Sequence, residues 1–356
     1  VKALPRPVIH FDHMMGYLPV WREAITQALK GDRRLYEAEI VRMLQGGAGI
    51  GARLLTMAFL YAASGQPAYC VGPRLQEKFR HTSVRSTPLD NLNTPYPTIY
   101  VALPECEQLL WGGLRTQWHH VSGVYVMRNG DALSLLMWAG TNERSVDPAD
   151  DATFWVSIEL GNCPRGNDPG TKDVEYGLKH VFVDEKGEMS DPGMGMPESK
   201  AAREEITTNI GDTARIVVNL LQYLNTLNPE IEEQPSLDKK TVEKLRKQAR
   251  RKGKKGARAR QRLANHTEAK VVWVGPSIER APRYGRATVA TGRAGTPHGR
   301  RGHFHSYWVG PRKDAEGNPQ KGTHRVSRWI EPILIGHRSA MVGARGKIHH
   351  LREDHE

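Results

Sequence analysis

Residues 121–138 read VSGVYVMRNGDALSLLMW, two apolar runs on either side of Asn129-Gly130. Val121–Met127 and Leu133–Trp138 are of strand length and rich in β-branched, aromatic and aliphatic residues. An Asn-Gly pair between two such runs predicts a tight hairpin. Working outward, Thr98–Leu103 before it and Phe154–Leu160 after it share this composition, and His180–Val183 is a fifth short run. Strands so short and so spaced predict an antiparallel sheet. Glycine- and proline-rich loops, about Gly161–Gly170 and Asp191–Pro197, break up its later part.

On both flanks the period becomes helical. Trp21, Ile25, Ala28 and Leu29, then Tyr36, Ile40, Val41 and Leu44, recur at the spacing of an amphipathic helix. Gly46, Gly47, Gly49 and Gly51 interrupt, and an apolar helix follows from about Ala52 to Ala63. This glycine cluster follows a helix rather than a strand, with no Lys-Ser or Lys-Thr behind it, so neither nucleotide-binding fingerprint is met. It reads as a helix break or a close-packing point. Downstream, Ile206, Ile210, Ala214, Val217, Val218, Leu221 and Leu224 share one face of a long helix, which packs most simply on the sheet and ends at Asn228-Pro229.

Charge divides the chain more sharply than composition does. The 356 residues carry a net charge of +12. From Ser236 onward there are 29 Lys and Arg against 10 Asp and Glu, whereas the first 235 residues hold 22 against 29. Cations segregated in this way gain counterion-release free energy at a polyphosphate surface. The fold class expected is therefore α+β: a mainly antiparallel sheet with flanking helices, followed by a basic linker and a small C-terminal β-hairpin module. We place an acidic globular body at 1–229 and a basic, partly disordered or helical linker at 230–297. The C-terminal module of aromatic, His and Arg residues takes 298–356.

Three cysteines, Cys70, Cys106 and Cys163, lie far apart with no CxxC pair, which fits a reducing cytoplasm and gives no zinc motif. No signal peptide is expected, since Pro5, His10, Asp12 and His13 break the early chain. No apolar stretch approaches the roughly 20 residues a bilayer requires, so no membrane is expected. No cofactor or metal is expected either. The His10-Asp12-His13 string invites a metal assignment but reads as packing or surface, and Trp118-His119-His120 reads as a structural edge.

Two clusters carry the candidate chemistry. The first is the cationic run in the linker: Lys247, Arg250, Arg251, Lys252, Lys254, Lys255 and Arg258. Such a run contacts phosphate without reading sequence. The second is the tail, from His298-Gly299-Arg300-Arg301 to Tyr307-Trp308, with a pairing strand around Arg325, Arg328 and Trp329. If a strand runs from Gly302, then His303, His305 and Tyr307 share one face while Phe304, Ser306 and Trp308 share the other. Arg300, Arg301 and the histidines could clamp RNA phosphates, with Tyr307 or Trp308 stacking a base. Arg325 or Arg328 would then lie across from Arg301 at a shared phosphate. His303 and His305 could instead bind metal, or act as a general acid and base on RNA. The plain reading is a small strand packed through Phe304 and Trp308, with Trp329 filling a mini-core. All of these stay open on sequence.

The pattern Arg300-Arg301-Gly302-His303-Phe304-His305, then Tyr307-Trp308 and Gly310, then Arg325-Val326, Arg328-Trp329 and Pro332, resembles the tail of the type V-A anti-CRISPR family of the VA-two kind. The position of Phe304 is more often tryptophan in that family. The stretch Pro97-Thr98-Ile99-Tyr100-Val101-Ala102-Leu103-Pro104 is similar to a family strand ending in Leu-Pro. The resemblance implies a phage or mobile-element protein acting in a host bacterial cytoplasm, not itself an enzyme. It implies recognition of the nascent N-terminal peptide of a CRISPR effector nuclease, and loss of that nuclease's mRNA during translation. The partners implied are that peptide, the message or the ribosome, and a recruited host ribonuclease. In physical terms, an acidic body with a sheet edge suits strand addition by a peptide, while the basic segment suits RNA. The alternatives are a nucleic-acid-binding phage protein without a peptide client, and a metal-independent ribonuclease using His303 and His305.

Overall fold

In a computed structural model the two runs about Asn129-Gly130 pair antiparallel, with Asn129 opposite Ala132. The loop is therefore Gly130-Asp131, and Gly130 at φ +56° takes the left-handed first corner of a two-residue turn. The structure describes residues 10, 11, 15, 18–112, 117–140, 152–168, 170–180, 199–234, 239–264, 269–280, 298–300, 302–309, 324–331 and 333–335.

The strands in chain order are β1 (Pro67–Val71), β2 (Thr87–Pro88), β3 (Thr98–Ala102), β4 (Leu109–Gly112), β5 (Gln117–Asn129), β6 (Ala132–Gly140) and β7 (Ala152–Glu159). They continue with β8 (Thr171–Lys172), β9 (Ile231–Glu233), β10 (Lys270–Val274), β11 (His298–Arg300), β12 (His303–Val309), β13 (His324–Ile330) and β14 (Ile333–Ile335). The helices are α1 (Pro19–Leu29), α2 (Arg34–Gln45), α3 (Gly49–Ala63), α4 (Pro73–Arg80) and α5 (Val174–Lys179). After these come α6 (Lys200–Leu224), α7 (Lys239–Ala249), α8 (Lys254–Ala264) and α9 (Pro276–Arg280). The strand expected at His180–Val183 begins on the residue that caps α5, and its remaining three positions lie outside the described residues.

The main sheet runs β7-β6-β5-β3-β1-β10-β9, with β4 also on β5. It is mainly antiparallel, as the hairpin signals predict, but β1 lies parallel to both β3 and β10. The sequence carries no strand signal at β1, and the reason is physical. All five of its residues are buried, so the alternation that marks a half-solvated strand is absent. β9 and β10 fall beyond the boundary drawn at residue 230, yet both belong to this sheet. Val271–Val274 is buried against β1, so the core of the body extends into a segment whose average composition is cationic.

Helices cover both faces of the sheet. Ala68, Cys70, Tyr100, Tyr125, Leu136, Trp138 and Trp273 point into one core with Ile25, Leu55 and Tyr61 of α1 and α3. Val101, Val124, Leu135, Met137, Phe154 and Val272 point into the other with Leu75, Phe79, Ile210 and Val217 of α4 and α6. Tyr100 and Tyr125 are direct cross-strand partners with ring centroids 4.8 Å apart. The ring of Tyr100 lies over Gly123, where β5 shifts register, and a Cβ at Gly123 would overlap the phenol. Gly123→Ala is accordingly expected to cost about 2–3 kcal/mol, the upper part of the overpacking range. Urea denaturation should show a lower midpoint with an unchanged slope, and Tyr100→Leu should recover part of the loss when added to it. An unshifted midpoint would mean that the two residues are not in contact.

Candidate nucleic-acid interface

The cationic run folds as an αα-hairpin. Its sequence is rich in Lys, Arg and Ala, good helix formers, and the buried apolar side chains among its described residues are Val242, Leu245 and Ala259. The two helices are tied by Arg260, which donates to the Ala249 carbonyl at 2.8 Å. Lys247, Arg250, Arg251, Lys252, Lys254, Lys255 and Arg258 are all exposed. Among the described residues no carboxylate pairs with any of them. Positive charges crowded in this way on one short arm repel one another, and a polyanion relieves that repulsion.

The tail forms a second surface. β12 and β13 pair antiparallel, placing Phe304 opposite Trp329, His305 opposite Arg328 and Trp308 opposite Arg325. The expected pairing of Arg325 or Arg328 with Arg301 falls on a residue outside the described ones. Arg300 sits on β11, opposite Ile333 of β14. On the outer face, His303, His305 and Tyr307 follow one another, with ring centroids 6.4 Å and 4.4 Å apart, and His305, Tyr307 and Arg328 are exposed. His303, His305 and Tyr307 thus share the face that alternation gives them.

The inner face is where the hairpin is held. The Trp329 ring meets Phe79 at 5.3 Å and Tyr223 at 5.6 Å, both edge-on, and its indole N–H donates to Thr82 Oγ1 at 3.3 Å. Phe304 packs on the same core. Gly302 bridges Thr82, with the Ser83 N–H donating to the Gly302 carbonyl at 2.8 Å. Lys78 pairs with Glu331 at 2.7 Å. Trp329, a candidate nucleic-acid contact, therefore stands against the body, on the side away from the His303–His305–Tyr307 face.

The dock is α4, and sequence reading missed how firmly it is fixed. At its start the Glu279 carboxylate of α9 accepts from the Leu75 and Arg74 N–H groups at 2.8 and 3.4 Å, satisfying donors that a helix leaves open. At its end the buried Asn219 amide of α6 donates to the Phe79 and Thr82 carbonyls at 2.8 and 3.0 Å. The one available signal was Asn219 itself, a polar residue in the middle of an apolar helical face. A buried amide needs partners, and these are they.

Beside this dock lies a cleft of about 420 Å³, lined in part by Arg80, His81, Lys179, Asp212 and Arg215. Burial holds the Asp212 carboxyl above the usual carboxylate range, against the pull of Arg215, Arg80 and His81. A carboxyl raised in the folded state favours the protonated form there. Its ionisation therefore costs stability as pH climbs through that raised pKa, and costs nothing where both states are protonated. Asp212→Asn is expected to raise the melting temperature at pH 7, with the gain fading below about pH 4. A variant less stable than wild type at pH 7 would show that the arginines outweigh burial.

Among the described residues no cluster of His, Cys, Asp and Glu is placed to hold a metal ion. His10 is buried with its ring 4.8 Å from that of Trp138, while Asp12 and His13 lie outside the described residues. His119 and His120 lie on β5 within hydrogen-bond distance of the Gly112 and Cys106 carbonyls. No helix among the described residues is long and apolar enough to cross a membrane.

These elements define an α+β protein whose mixed sheet carries a solvated cationic arm and a docked aromatic hairpin. Comparison with known proteins gives the family. The model of the AcrVA2-like family, anti-CRISPR type V subtype A2, matches residues 69–337, and the chain belongs to that family. A solved structure, the crystal structure of AcrVA2, aligns over 91% of this chain and 92% of its own at 14% identity, with a TM-score of 0.40. No curated protein matches the sequence.

Proposed function

We propose that this anti-CRISPR protein acts on a CRISPR effector while it is being translated, recognising the nascent N-terminal peptide and promoting loss of the message. In this reading the acidic body selects the client. The arm, through Lys247, Arg250, Arg251, Lys252, Lys254, Lys255 and Arg258, holds mRNA or ribosomal RNA. The tail adds Arg300, Arg301, His303, His305, Tyr307, Trp308, Arg325 and Arg328, and Trp329 serves it as a support. Two weak contacts to one translating complex raise each other's effective concentration, so neither need be tight. A recruited host ribonuclease would supply the cleavage, and the setting is the cytoplasm of a phage-infected cell. The observation that supports this most is the arm: seven solvated cations without carboxylate partners among the described residues, in a chain whose family is anti-CRISPR.

The reading is tested in cells that express a type V-A effector together with the tagged chain. Ribosomal RNA and the effector's amino-terminal peptide should co-purify, and the effector transcript should fall. Blocking initiation on that transcript should abolish the fall. A transcript that falls equally without translation, or a purification carrying nucleic acid and no effector polypeptide, would replace this reading with that of a simple nucleic-acid binder.

A further inference from the structure

The arm has an inner side as well as an outer one. Between it and the N-terminal helices runs a cleft of about 530 Å³, within the range of specific ligand sites. Its floor is apolar, from buried Phe11, Met15 and Ile25 of the body. Val242 and Leu263 of the arm line the opposite wall, and Leu29, 49% exposed at the end of α1, stands at the rim. The charged residues among the described ones that line it are Arg22 and Arg246, both exposed, and none of the described lining residues is a carboxylate. An apolar trough rimmed by Arg22 and Arg246 complements one kind of partner, a peptide that carries aliphatic or aromatic side chains on one face and carboxylates beside them. The body wall comes from residues that precede the family match at 69–337, while the arm wall lies within it.

We infer that this cleft docks an acidic amphipathic peptide, and that its occupancy strengthens the grip of the arm on polyanion. The inference rests on the proposed reading for its second half, because α7 and α8 serve both sides. Val242, Arg246 and Leu263 face the cleft, and the cations between Lys247 and Arg258 face solvent. Among its described residues the arm buries the apolar side chains Val242, Leu245 and Ala259, a small area to fix it. A peptide that fills the cleft covers the part-exposed Leu263 and bridges the arm to the body. Cations held in a fixed array lose less freedom when they meet phosphate. Coupling of this kind is reciprocal: RNA must tighten peptide binding by the factor by which peptide tightens RNA binding.

The test uses the full chain, a fluorescein-labelled Glu/Leu peptide with leucines at helical three- and four-residue spacing, and a labelled oligouridine. Anisotropy should show saturable peptide binding that a Lys/Leu peptide of the same spacing does not reproduce. Leu29→Glu combined with Arg246→Glu should weaken it at least tenfold. Both residues are exposed, so the variant should fold, and its unchanged thermal melt is the check. Saturating peptide should raise oligouridine affinity about threefold, and oligouridine should raise peptide affinity equally. Peptide binding that is displaced by oligouridine, or that is indifferent to the two substitutions, overturns the cleft. Binding without mutual enhancement overturns the coupling. If peptide binds and oligouridine does not, the cleft stands and the proposed RNA contact fails. If oligouridine binds and the peptide does not, the reverse holds.

Discussion

Replacing Lys239–Ala264 with a short Gly-Ser linker is expected to leave a folded protein that has lost most of its affinity for RNA. The fold permits the excision because the arm is inserted between two strands that are already neighbours. β9 and β10 pair antiparallel, Glu233 lies opposite Val272, and the Gln234 N–H donates to the Val271 carbonyl at 2.9 Å. Their ends are side by side, so a turn can join them without moving the sheet. The buried apolar side chains removed, among the described residues, are Val242, Leu245 and Ala259, so the stability lost is small. The binding lost is larger. Each phosphate neutralised on a single strand contributes roughly 0.7 to the slope of log affinity against log salt. If five or so of the exposed cations between Lys247 and Arg258 reach phosphate, the slope should fall in magnitude by about 3 to 4 on excision. Affinity near 0.1 M salt should then fall by on the order of 100-fold or more. Anisotropy with a labelled single-stranded RNA across a salt series measures both quantities. Equal slopes for the excised and intact proteins would show that the arm's charges do not meet phosphate, and the proposed mechanism would lose its RNA contact.

How far the sequence announces this architecture depends on what each residue's neighbours must be. The β5–β6 hairpin is legible because turn chemistry and strand composition lie within twenty residues of one another. The exposure of the arm is legible too, since Lys and Arg at this density cannot be buried. β1 is harder, because a strand covered on both faces carries no alternation. β10 is legible as a short apolar strand, Val271–Val274, but four residues in a cationic background do not say that it joins the main sheet. α4 is harder still: in PRLQEKFR only Leu75 and Phe79 mark an apolar side, and what fixes the helix comes from Glu279 and Asn219, over a hundred residues away. Alternation along β12 and β13 correctly separates His303, His305 and Tyr307 from Phe304 and Trp329. It cannot say which side meets a partner and which meets the body, because that choice belongs to Phe79, Thr82 and Tyr223.

That choice makes Trp329 the residue on which the tail module should depend most. Trp329→Ala removes the ring that touches Phe79, Tyr223 and Phe304, and leaves Thr82 Oγ1 without its indole donor. Tryptophan truncation in a full core costs about 3–5 kcal/mol, and Trp329 is only half-buried, so about 2–3 kcal/mol is expected. The loss should appear locally. Gly302, the Lys78–Glu331 pair and Phe304 are too few to hold β12 and β13 against α4 once the ring is gone, and a two-stranded ribbon is marginal on its own. Limited proteolysis should therefore cut within residues 298–335 at least tenfold faster, while the main-sheet fragment keeps its resistance. Trp329→Phe keeps most of the ring contact and loses only the N–H bond, so it should cost about 1 kcal/mol. Undocking also disperses the His305, Tyr307 and Arg328 face, so Trp329→Ala should weaken RNA binding at least as much as His305→Ala does, although Trp329 itself faces the body. Should Trp329→Ala leave both the cleavage pattern and RNA affinity as they were, the hairpin is held by something other than this ring, and the outward face owes nothing to its dock.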